Sequence, residues 1–111
     1  MTRRWVPPDE PLGLRLRSLL VVLLVEAGTP LTVRQLIARI EARGVVLDGR
    51  PSKLVSDALR WEVRRGRVVR VGLGVYRSGR IAETTLRRMR GRARVLQEAA
   101  AQRRDRPEAA G

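Results

Sequence analysis

Apolar residues recur at helical spacing early in the chain. Leu16, Leu20, Leu23 and Ala27 return every three or four positions, and Leu19 and Leu24 widen the stripe. That pattern predicts an amphipathic helix over about 14–27, stopped by Gly28. Thr29-Pro30-Leu31 reads as a short extended connector. Thr32-Val33-Arg34-Gln35 then fits a capping box, so a second helix opens there. Val33, Leu36, Ile37 and Ile40 form its inner stripe, and Gly44 suits the position just past its end. A loop over 45–51, with a turn at Asp48-Gly49, leads to a third helix.

The third helix is predicted to be capped by Ser52 and to run to Arg65. Leu54, Val55, Ala58, Leu59 and Trp61 fall on one arc, and Lys53, Ser56, Asp57, Arg60 and Arg64 on the other. Glu62 falls inside the apolar arc, which predicts a half-buried carboxylate paired with Arg15 or Arg17. Arg67 to Val71 and Val75 to Arg77 are short β-branched runs separated by Gly72-Leu73-Gly74, a hairpin signal. A last helix is expected over about 81–101. Its apolar positions Ala82, Leu86, Met89, Ala93, Leu96 and Ala100 follow spacings of 4, 3, 4, 3 and 4. Such a heptad-like seam suits a partner helix, which predicts a homodimer; a helix laid back on its own domain is the alternative. The fold class is therefore mainly α with a small β-hairpin. The divisions are an N-terminal arm (1–11), a core domain (12–79), a basic helix (80–101) and a frayed tail (102–111).

Charge changes this picture from a fold to a function. The chain of 111 residues carries 24 Lys+Arg against 11 Asp+Glu, a formal charge of +13. A charge of that size draws in polyanions, and nucleic acid is the default partner. Lys53 is the only lysine, so the charge is almost wholly guanidinium, which suits phosphates and guanine edges. On the third helix, Lys53, Ser56, Asp57, Arg60 and Arg64 combine long basic with short polar side chains, a mixture that reaches base edges and phosphates together. Arg50, Arg70 and Arg77 are phosphate-contact candidates beside it. Arg87, Arg88, Arg90, Arg92 and Arg94 add a basic helix with no acid between Thr84 and Gln97. A solvated helix face is the plainer reading of each of these groups. Trp61 and Tyr76 are expected in the core. With two Trp, one Tyr and no Phe, the chain lacks the aromatic platforms on which single strands stack.

Other classes of function find little support. The absence of Cys and His removes disulfides, zinc fingers and thiol or imidazole catalysis. Glu26, Glu41, Asp48, Asp57 and Glu62 are scattered and form no metal-binding cluster, and no phosphate-loop or nucleophile-elbow motif is present. No enzyme, cofactor, metal or effector pocket is expected. The longest apolar run, Leu19 to Val25, falls far short of the ~20 residues of a membrane span. Thr2-Arg3-Arg4 lacks the continuous apolar stretch of an export signal, because Pro7-Pro8-Asp9-Glu10, Arg15 and Arg17 interrupt it. A cytoplasmic protein is expected.

The order of helix, extended piece, helix, helix and two-stranded hairpin resembles the winged helix-turn-helix fold over about 14–78. Within that class, three stretches are similar to the HARE-HTH variety: Ala27-Gly28-Thr29-Pro30-Leu31-Thr32-Val33-Arg34-Gln35-Leu36, then Pro51, then Arg70-Val71-Gly72-Leu73-Gly74-Val75-Tyr76. The resemblance implies that the third helix enters the major groove and that the hairpin touches the backbone or minor groove. Here the loop before the third helix is longer than a tight helix-turn-helix turn, and the hairpin tip is Leu73 rather than a basic residue. The family also contains protein-binding modules, including a subunit of bacterial RNA polymerase. Docking on a polymerase or another protein, and recognition of duplex RNA, therefore stand beside double-stranded DNA as readings of the sequence.

Overall fold

The computed structural model describes residues 12–105. Helix α1 (Leu12–Ala27) is followed by a two-residue strand β1 (Leu31–Thr32) and helices α2 (Val33–Ala42) and α3 (Pro51–Arg64). Strands β2 (Val68–Gly72) and β3 (Val75–Ser78) form the hairpin, and helix α4 (Glu83–Asp105) ends the described chain. The architecture is mainly helical with a β-hairpin wing, as the periodicities predict. The arm expected over 1–11 and the last part of the tail, 106–111, lie outside the described residues. No helix among the described residues is long and apolar enough to cross a membrane.

The apolar run of α1 becomes the centre of the core. Every residue from Ser18 to Leu24 is buried, so this stretch has no solvated face. The stripe read from the sequence left Val21 and Val22 outside; in the fold they are covered too. The reason is the number of neighbours, since α1 is packed by α2, α3, β3 and α4. A helix that is apolar all round is stable only when surrounded in this way.

Local signals place the next elements. The Thr32 side chain accepts from the Gln35 N–H at 3.0 Å, and the Gln35 Oε1 accepts from the Thr32 N–H at 2.8 Å. Both halves of the capping box are therefore made. Thr32→Ala should cost about 1 kcal/mol of stability, measured by urea unfolding with the m-value unchanged. The cap of α3 differs from expectation. Pro51 occupies its first turn and Arg50 the cap position, with no side-chain cap bond; Ser52 lies inside the helix. Proline's fixed φ and missing N–H suit that opening position, which moves the cap two residues back, from Ser52 to Arg50.

The sheet has strand order β1-β3-β2, antiparallel throughout. Val68 pairs with Ser78, Val69 with Arg77 and Arg70 with Tyr76, and the register then shifts so that Gly72 meets Val75. The turn is closed by Gly74 at φ +69, a conformation that favours glycine. The connector before α2 is more than a spacer: Leu31 and Thr32 pair with Tyr76 and Val75. The Val33 N–H also donates to the Gly74 carbonyl at 3.1 Å, which fastens the wing to the start of α2.

Helix α4 corrects two expectations. It is helical through Asp105, four residues past the end expected at 101. Its seam is also already occupied. Met89, Ala93, Leu96 and Ala100 are buried in the same core cluster as α1, and Leu86 packs against that cluster. Ala82 lies before the helix and is exposed. Val22 and Ala93 line one crevice, so α4 covers the face of α1 that the first stripe left bare. The small Ala93 and Ala100 permit close approach of the two helices. The seam assigned to a second copy is thus satisfied within the chain, and 80–101 is part of the core domain rather than an appendage.

Candidate nucleic-acid interface

Helix α3 turns Val55, Ala58, Leu59 and Glu62 inward. That choice sets which residues face out. Lys53, Arg60 and Arg64 are exposed, and Ser56 and Asp57 are half-buried. Lys53 Nζ donates to Asp57 Oδ2 at 3.0 Å, one turn apart, which holds the lysine along the helix. Between exposed groups such a pair adds little stability. Arg60 makes no hydrogen bond or ion pair with another described residue. All five residues expected on the outer arc are therefore brought together on one side of one helix.

Trp61 is a correction. The sequence places it in the core, yet it is 50% exposed. The inward arc centres on Val55, Ala58, Leu59 and Glu62, and the indole falls on its flank. Two guanidiniums cover the ring: the Arg17 Cζ lies 5.5 Å from its centroid and the Arg64 Cζ 5.6 Å. Each such contact is worth roughly 0.5–1 kcal/mol at an exposed site. Leu54, also assigned to the core, is 40% exposed. Tyr76 is half-buried against the core, close to expectation.

Glu62 ties α3 to α1 and to the start of the wing. Its side chain is fully buried. Arg67 grips it with two bonds, Nε to Oε1 at 2.7 Å and Nη2 to Oε2 at 3.3 Å. Arg17 Nε lies 3.5 Å from Oε2. The expected partner on α1 is present, while Arg67, from the start of the wing, was not foreseen. The burial is complete rather than partial, because α1 and β2 both pack onto this end of α3.

The remaining basic candidates do not form one surface. Arg50 is exposed at the start of α3. Arg70 and Arg77 are exposed on the wing, where Arg70 Nε donates to the Gly72 carbonyl and Arg77 Nη1 to the Ser78 carbonyl. Arg70 is paired with Tyr76 in register and Arg77 with Val69, so the two arginines leave opposite faces of the hairpin. On α4 the five arginines divide. Arg88 and Arg92 line a cavity toward α1 and the turn between α3 and β2, and Arg90 and Arg94 line a crevice beside Val22, Glu26 and Arg43. In that crevice Arg43 Nη2 donates to Glu26 Oε1 and ties α2 to α1. Arg87 is exposed between the groups. The seam against α1 pushes these side chains to its two flanks. No protein-family model, curated protein or solved structure matches the chain.

Proposed function

We propose that this chain binds double-stranded DNA, with α3 in the major groove and phosphates anchored by the arginines around it. The observation that carries this reading is the outward face of α3, where Lys53, Asp57, Arg60 and Arg64 lie together and Arg60 is unengaged by any described residue. A formal charge of +13 and the winged helix-turn-helix order support it. The resemblance to the HARE-HTH variety points the same way. A transcriptional regulator or a nucleoid-associated protein of the cytoplasm, with no catalysis and no cofactor, is the role such a module fills.

Base reading and phosphate anchoring separate by mutation. Arg60→Ala should cost about 1–3 kcal/mol of discrimination between a selected duplex and random duplex. Arg87→Ala should weaken both equally. The measurement is a gel-shift titration on both duplexes at one salt concentration. Uniform weakening by Arg60→Ala would show that α3 is not the reading element.

A protein partner is the second reading, and one observation favours it. Leu54 and Trp61 border a largely apolar groove with Leu14, Leu16 and Ala58 between α1 and α3. Polymerase docking through this groove predicts no duplex binding even at low salt.

A further inference from the structure

The cavity between α1, the α3–β2 turn and the first half of α4 is walled by guanidinium groups. Arg17 enters from α1, Arg65 and Arg67 from the turn, and Arg88 and Arg92 from α4. Thr85 adds a hydroxyl one turn before Arg88, whose Nη2 lies 3.5 Å from it. No acidic side chain lines the cavity among the described residues.

Structural need accounts for only part of this cluster. Glu62 is held by Arg67 and Arg17. With Arg92 left out of the sum, the four positive charges of Arg17, Arg65, Arg67 and Arg88 less the one negative charge of Glu62 leave three at one concave place. Arg65 and Arg88 are exposed and make no contact with Glu62. Converging cations in a concave site repel one another and focus a strong positive potential on whatever enters. Guanidinium forks match phosphate oxygens two at a time. A phosphodiester brings one negative charge per phosphate, whereas a di- or triphosphate chain brings three or four, close to the surplus here.

We propose that this cavity is a binding site for the di- or triphosphate chain of a small molecule. The site is distinct from the outward face of α3 and does not rest on the DNA reading. Its residues come from three places far apart in sequence, so no single helix displays it.

Inorganic tripolyphosphate is the probe, titrated calorimetrically into the full chain with ionic strength held constant by NaCl. A single saturable site is expected. The Arg65→Gln, Arg88→Gln double variant should bind roughly tenfold or more weakly, the loss of at least one charge-assisted contact. The Lys53→Gln, Arg60→Gln double variant on α3 should bind as the parent does. Urea unfolding of each variant establishes that it is folded. Non-saturable binding, or equal losses in the two double variants, would reduce the cavity to diffuse charge and overturn the proposal. A short duplex supplies the second arm. Simultaneous binding of duplex and tripolyphosphate supports a small-molecule site. Displacement of tripolyphosphate by duplex, with duplex affinity also lost in Arg65→Gln, Arg88→Gln, would assign the cavity to the DNA backbone instead and overturn it.

Discussion

Affinity for random duplex DNA should fall about a thousandfold to ten-thousandfold between roughly 50 and 200 mM salt. The size follows from counterion release. Each phosphate neutralised by a basic side chain frees condensed cations, and log K falls with log salt at about −0.9 per contact. Arg50, Lys53, Arg60 and Arg64 on or beside α3, with Arg70 and Arg77 on the wing, supply six exposed candidates. Two of the exposed α4 arginines, Arg87, Arg88, Arg90 and Arg94, reaching the same duplex would extend the number to about eight, so the slope falls between roughly −5 and −7. The opposed faces of Arg70 and Arg77 place the expected value toward the shallow end, because one duplex strand meets only one face of the wing. Fluorescence anisotropy over a salt series measures the slope directly. A flat response would remove phosphate contacts from the account and bring the groove at Leu54 and Trp61 forward as a protein-docking surface.

Glu62→Ala should destabilise the fold by about 3–5 kcal/mol, a large share of the total for a domain of this size. The side chain is fully buried, and Arg17 and Arg67 are themselves mostly buried around it. Removing the carboxylate leaves two guanidiniums facing each other with no counter-charge, and a void where the side chain stood. The loss is far above that of a surface ion pair such as Lys53–Asp57. A second variant separates charge from packing. Glu62→Leu with Arg17→Met and Arg67→Met replaces the whole charged cluster by apolar groups of similar volume and should recover much of the stability, since desolvating the cluster offsets most of its attraction. Urea unfolding of the three proteins is the measurement. A loss of less than about 1 kcal/mol for Glu62→Ala would mean that water reaches the guanidiniums and the pair is structurally minor.

Several features were legible because their physics is local. The Thr32–Gln35 capping box involves groups three residues apart, and the hairpin turn of Gly72-Leu73-Gly74 closes within a few residues. The outward face of α3 was equally accessible, since helical geometry alone puts Lys53, Asp57, Arg60 and Arg64 on one side. Glu62 announced itself as a charge inside an apolar arc, and its partner on α1 was within the foreseen pair. Trp61 was misplaced for a related reason. A wheel ranks positions by angle, but how wide an arc is buried depends on what packs against it, and at Trp61 a groove toward α1 and the Arg17 guanidinium leave half the side chain exposed.

Periodicity thus determined the helices and the hairpin, because hydrogen bonds between near neighbours and the need to hide a stripe are properties of short segments. It also determined that the stripe of α4 must be covered, though not by what. A second copy and α1 of the same chain offer the same kind of apolar surface. The tertiary structure decided for α1, whose Val21 and Val22 had no other cover, and that decision split the arginines of α4 onto two flanks. It likewise decided Gly79, where a β-carbon would run into the Gly66 carbonyl oxygen across the base of the wing. The arginine cavity belongs to the same class of fact. Arg17, Arg65, Arg67, Arg88 and Arg92 share no period and no segment; only the packing of α4 onto α1 sets them around one space.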